Sequence, residues 1–161
     1  MENAAKDILM DENEFKRVFG NLAARFGFER AYGGWFIESC ETIIVLDLQK
    51  SNFDAHYYLN IKLYVQGLFG NEYRREKKLV KTDVGDVFTR SPIQYSDIFD
   101  LQSSIDISDR INRLAQLFSE YIQPIVTLGS TKAGIIELDK TGGLHVLPAV
   151  REEIVKLLGN Y

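Results

Sequence analysis

The chain has 161 residues, 45% of them apolar and 26% charged, with a formal net charge of -4. This balance excludes a disordered chain and supplies enough apolar surface for a core that needs no staples. The single cysteine, Cys40, excludes an intramolecular disulfide, and no apolar run approaches the roughly 20 residues of a membrane-spanning helix.

Residues Asn3 to Leu9 read as a short helical turn, with Ala4, Ile8 and Leu9 turned towards the body. The opening segment, with Glu2, Lys6, Asp7 and Asp11 among a few apolar residues, has no uninterrupted hydrophobic stretch of the secretion-signal kind. The expected setting is therefore the reducing cytoplasm, and the expected organisation is one domain over residues 1–161.

Asp11 followed by Glu14 is a capping-box pattern, and Phe15, Val18, Phe19, Leu22 and Phe26 recur at spacings of three and four. An amphipathic helix is predicted there, ended by Gly27. Gly20 inside the pattern weakens that helix by about 1 kcal/mol relative to alanine, which predicts a close approach at this point. Tyr32 to Gly34 read as a turn into a short strand, Trp35 to Glu38, and Ser39 with Cys40 as the next turn.

The period then changes to two. In Thr42 to Gln49, Ile44, Leu46 and Leu48 alternate with Ile43, Val45, Asp47 and Gln49. In Tyr57 to Gln66, Tyr57, Leu59, Ile61, Leu63 and Val65 alternate with Tyr58, Asn60, Lys62, Tyr64 and Gln66. Two long strands joined through Ser51, Asn52 and Asp54 as a hairpin satisfy this pattern, one face apolar and in need of a helix, the other polar and able to meet water. Gly67 and Gly70 break the alternation, and the charged stretch after them reads as a loop or irregular excursion.

Asp86 to Arg90 alternate again and predict a fourth strand, ended by Ser91 and Pro92. Ile93 to Ile107 show no clean period and read as a loop. From Ser108, Ile111, Leu114, Ala115, Phe118, Tyr121 and Ile122 mark a second long helix that Pro124 ends or kinks, with Ile125 to Leu128 adding a last turn before Gly129. Ser130 caps a short helix through Ala133, Ile135, Ile136 and Leu138, although Gly134 to Leu138 reads equally well as a strand. Thr141, Gly142 and Gly143 end this piece, and Pro148 opens a final helix with Val150, Ile154, Leu157 and Leu158 on its apolar side. The fold expected is α+β: an antiparallel sheet of about four strands whose apolar face lies under the N-terminal and C-terminal helices.

Charge is unevenly placed. Between Asn71 and Lys81, five basic residues (Arg74, Arg75, Lys77, Lys78, Lys81) face two glutamates, which reads as a solvated basic loop more readily than as a nucleic-acid contact. Between Asp83 and Asp109, six aspartates face Arg90 alone, which favours a protein partner of basic character.

The candidate site is the polar face of the hairpin: Asp47, Gln49, Tyr58, Asn60, Lys62 and Tyr64, joined by Arg90. Asn60 and Gln49 are amides able to fix strand register or hold a ligand, and Arg90 can clamp an acidic ligand or tie its strand to Asp47. Tyr58 and Tyr64 on a hydrated face suit a partner surface. Asp47 and Lys62 resemble half of a metal-dependent nuclease site, but a second acid from Asp83, Asp86 or Asp97 has no support in spacing. His56, His145 and Cys40 form no metal pattern, Cys40 with His56 has no orienting group, and the glycine pairs make no phosphate loop. No cofactor and no metal are expected.

The helix ending in Gly27 and Phe28, the strand ending Leu48, Gln49, Lys50 and Ser51, the next strand carrying Asn60, and the later Arg90 together resemble the bacterial family catalogued as domain of unknown function 4304. The similarity runs from the first helix to Arg90 and more loosely to the helices around Pro148; Lys62 stands where the family pattern often has glycine. The resemblance supports the fold boundaries and implies no mechanism. The leading expectation is a non-enzymatic interaction domain, with an immunity-type role covering a toxin's basic site as its more specific version. The alternatives are a small metal-dependent phosphodiester hydrolase and a small-ligand module using the gap between sheet and C-terminal helices.

Overall fold

The computed structural model describes residues 9–159; the proposed turn from Asn3 lies outside them save for Leu9, which is exposed. Helix α1 spans Glu12–Arg25 and starts where expected, with the Asp11 carboxylate accepting from Glu14 N at 2.8 Å. Phe26 caps its end and Gly27 follows, whose φ of +94° suits a residue without Cβ. Phe15, Val18, Phe19 and Leu22 are buried along one stripe. Gly20 does permit a close approach: a Cβ there would lie 3.4 Å from Trp35 Nε1.

Five strands, not four, form one antiparallel meander in chain order: β1 Glu29–Ala31, β2 Gly34–Glu38, β3 Thr42–Lys50, β4 Tyr57–Val65 and β5 Val87–Arg90. The additional strand is β1, joined to β2 by a two-residue turn in which Tyr32 (φ +54°) and Gly33 (φ +80°) both adopt left-handed backbone. Such a turn matches the twist of a hairpin, so three residues suffice to add an edge strand. The β3–β4 hairpin has the expected register, with Ile44 opposite Leu63, Leu46 opposite Ile61 and Leu48 opposite Leu59. Their shared face enters the main core with Phe15, Phe19, Trp35 and Phe118.

The opposite face does not simply meet water. Half of it is covered by a short helix, α2 (Lys77–Lys81), in the stretch expected to be a solvated loop. Leu79 and Val80 of α2 close over Phe36, Ile43, Val45 and Tyr64 as a second, smaller core. Gly34 makes this possible, because a Cβ on it would stand 2.9 Å from the methyls of Val80. The basic segment is in part a clamp: Arg75 donates to Glu29 at 2.7 Å and Glu38 at 2.8 Å, bridging β1 and β2.

Beyond β5, Ile93–Phe99 is 3-10 helix where a loop was expected. Buried Arg110 donates to the carbonyls of Asp97, Ile98 and Asp100, which stitches this turn to helix α3, Ile107–Leu117. Pro124 neither ends nor breaks the helical run. A π-turn over Phe118–Ile122, with Gln123 N donating to Phe118 O, shifts the hydrogen-bond register just before the proline's missing N–H, and α4 (Gln123–Gly129) continues the run.

The segment 132–141 is helix α5 (Lys132–Thr141), not strand, and its cap is Thr131 instead of Ser130, accepting from Gly134 N at 3.0 Å. At Gly134 the α4 backbone comes so near that a Cβ would be 1.7 Å from Leu128 O. The end of α4 docks on the sheet through Thr42 Oγ1 donating to Gly129 O at 2.8 Å and Ser39 Oγ to Ser130 O at 2.6 Å. Helix α6 (Pro148–Leu158) buries Val150 and Ile154.

Candidate functional site

Strand register explains how the outer-face residues meet. Asp47 lies opposite Asn60 and Asn60 opposite Arg90, forming one row across β3, β4 and β5; Gln49 lies opposite Tyr58 in the next row. Asn60, only 4% exposed, is the hub. Its Nδ2 donates to Gln49 Oε1 at 2.9 Å and Asp47 Oδ2 at 3.3 Å, and its Oδ1 accepts from Arg90 Nε at 2.9 Å. Arg90 also donates to Gln49 Oε1 at 3.2 Å. The arginine is thus tied to the two amides, where a tie to Asp47 was the expectation.

Lys62 is buried under α2: its ammonium donates to Val80 O at 2.7 Å and lies 3.8 Å from Asp47 Oδ2. Burial pulls its pKa below the ordinary lysine value, with the Asp47 charge opposing the shift. Tyr64 stands apart from the network and is 1% exposed, not a surface anchor. Its hydroxyl donates to Leu79 O at 2.7 Å, and burial followed by the charge of Asp83 pushes its pKa upward. Lys62 and Tyr64 therefore hold α2 to the sheet, while Asp47, Gln49, Asn60 and Arg90 support what remains open.

The open part is aromatic and cationic. The Arg90 guanidinium lies 4.7 Å from the Tyr58 ring centroid and 6.0 Å from that of Phe88. His56 meets Tyr58 edge-on at 5.0 Å. Beside them a cleft of about 260 Å³ is lined by His56, Tyr58, Leu59, Arg90, Ile93 and Phe99. Ile93, at the rim, is 85% exposed. Sequence reasoning did not single out Phe88 or Ile93; the signals were the alternation Phe88, Arg90 on β5 and an isoleucine placed after the strand-ending Pro92.

The other expected groups are dispersed. Cys40 precedes β3 and His56 precedes β4, so they sit at opposite ends of a hairpin of nine-residue strands, about 25 Å apart along it. Among the described residues no group of three or more His, Cys, Asp or Glu could hold a metal ion. The gap between sheet and C-terminal helices, lined by Ile37, Thr42, Ile44, Val126 and Ser130, measures about 120 Å³, below the ~300 Å³ at which small-molecule sites begin.

Most of the acidic stretch is engaged in the fold. Asp86 accepts from Val65 N at 2.8 Å and Tyr73 Oη at 3.0 Å, its pKa raised by burial, while the Tyr73 phenol is pushed up to about 12, chiefly by burial and then by Asp86. Asp97 pairs with Arg113, Asp100 accepts from Gln102 N, and Asp106 caps α3.

Comparison with curated proteins and with solved structures gives no match. A family model described as Domain of unknown function (DUF4304) matches residues 19–128, from α1 through the whole sheet to α4. This chain belongs to that family.

Proposed function

We propose that this chain is a non-enzymatic protein-interaction domain whose partner is gripped by Arg90, Tyr58, Phe88 and Ile93 at the open end of the outer face. The observation that carries this reading is the guanidinium of Arg90, laid against two rings and held from below by Asn60 and Gln49. An arginine fixed in this way has little rotamer freedom left to lose, so it meets a carboxylate at small entropic cost. Arginine and tyrosine are the residue types that most often dominate interface energy. The cleft beside them accepts an apolar side chain, so the matching segment presents a carboxylate next to an apolar group.

A basic partner, including the toxin of the immunity-type version, would meet an acidic stretch in which four of the six aspartates, Asp86, Asp97, Asp100 and Asp106, are bonded within the chain, so this reading has less support. Hydrolysis of phosphodiesters at Asp47 has less support still. Its carboxylate is taken by Asn60 and Lys62, and the lysine faces Val80 O beneath α2.

Affinity purification of the full chain at low salt, with Arg90→Gln and Ile93→Asp beside the wild type, tests the reading. The expected result is a stoichiometric partner with an acidic segment, lost from both variants while their melting temperatures stay near the wild type. A partner kept equally by both variants, or no stoichiometric partner, overturns it.

A further inference from the structure

On the other side of the molecule a groove of about 390 Å³ runs between α1 and the β1–β2 edge. The helix contributes Asn13, Lys16, Arg17 and Asn21, which recur at spacings of three and four as a polar stripe beside the buried apolar one. Arg30 closes the far side from β1. It is the register partner of Trp35, and its guanidinium lies 5.6 Å from the Trp35 ring centroid. No acidic residue lines the groove among the described residues.

The floor is Trp35, only 3% exposed. Its Nε1 is the atom nearest to where a Cβ on Gly20 would stand, 3.4 Å away, so the missing side chain opens the groove down to the indole N–H. That N–H is not among the buried unsatisfied atoms of the described residues: it opens into the groove, and an indole nitrogen can only donate. A donor open at the floor of a groove whose other polar groups are two cationic guanidinium groups, an ammonium and two amides matches an oxyanion, which can accept from all of them at once.

We infer that this groove binds a phosphate-bearing small molecule of mononucleotide size. Its volume falls within the range of small-molecule sites. Three cations gathered at one concavity, in a chain of net charge -4, suit a compact di- or triphosphate better than the long polyanionic track of a nucleic acid. Gly20 is then the specificity device: it gives up helix propensity to expose the indole N–H. This site is independent of the Arg90 patch, and either can fail alone.

Trp35 is the only tryptophan, so its fluorescence reads the site directly. The full chain is titrated at low salt with inorganic pyrophosphate, with ADP, with sulfate and with a short single-stranded oligonucleotide. Saturable change with pyrophosphate or ADP is expected at millimolar affinity or better, and about tenfold weaker binding in Arg17→Gln and Arg30→Gln. Gly20→Ala is the decisive variant: it favours the helix, so the melting temperature holds or rises, while its methyl covers the indole N–H and removes the response. No saturable change up to about 10 mM overturns the inference. Sulfate matching pyrophosphate, unaltered affinity in Gly20→Ala and Arg30→Gln, or a response to the oligonucleotide alone overturns it equally.

Discussion

The two faces of the β3–β4 hairpin are built from the same alternation and end up different. The inner face is apolar from Ile44 to Leu48 and shares its core with eight of the ten buried aromatic rings among the described residues, including Phe15, Phe19, Trp35 and Phe118, whose neighbouring centroids are 4.8 to 6.5 Å apart. The outer face changes character midway: Ile43, Val45 and Tyr64 lie beneath α2, whereas Gln49, Tyr58 and Arg90 are open. Lys62 marks the seam, its stem and ammonium under α2 and its charge shared with Asp47. One face therefore carries stability, and the other divides its length between holding a helix and presenting a surface.

The division can be broken most forcefully from inside. Phe19→Ala removes a fully buried ring that touches Phe15, Trp35 and Phe118, and chemical denaturation should show a loss of about 4 kcal/mol. On the outer face Leu79→Ala should lose less, about 2 kcal/mol, because its cluster is small and the short helix that carries it can settle into the space. Hydrogen exchange should then show α2 opening while β3 and β4 stay protected. If both variants lose the same amount and unfold β3 and β4 together, the outer cluster is part of the main core after all.

At the open end, Asn60→Ala leaves Arg90 and Asp47 without their shared partner, and a loss of about 1–2 kcal/mol by denaturation is expected. The same variant should weaken partner binding, but less than Arg90→Gln does, since Gln49 and the Tyr58 ring still hold the guanidinium. The smallest effect concerns pH. Burial lowers the Lys62 pKa below the 10.5 of the unfolded chain, so between these values the unfolded state holds more protons and stability rises with pH. The difference in denaturation midpoint between the wild type and Lys62→Met, followed from neutral pH up to about pH 10.5, should shift in favour of the wild type as pH rises, the raised phenols of Tyr64 and Tyr73 acting on both proteins alike.

The inner face was legible because period two over nine residues in each strand, beside a helix of period 3.6, leaves one economical packing. The candidate network was legible for the same reason: Gln49, Asn60 and Arg90 fall on one face by count, and only their partners needed coordinates. Strand β1 was hidden because Glu29 and Arg30 are exposed and its turn uses Tyr32, where asparagine would have been the usual sign. Helix α2 was hidden because Lys77, Lys78 and Lys81 surround a two-residue apolar core, Leu79 and Val80, too short to display a period. Tyr64 was misjudged as a consequence, since its burial depends wholly on that helix. The groove at Trp35 was half visible: Gly20 predicted a close approach, but which ring approached it, and which atom faced outward, depended on the edge hairpin.

The corner between α4 and α5 has a consequence for reading other chains. Hydrogen is the only substituent that fits at Gly134 against Leu128 O, so a homologous sequence with any larger residue at that spot must separate the two helices or stack them differently. That single position, a few residues after a Thr cap, lets one sort relatives by the course of their C-terminal half before any of their coordinates exist.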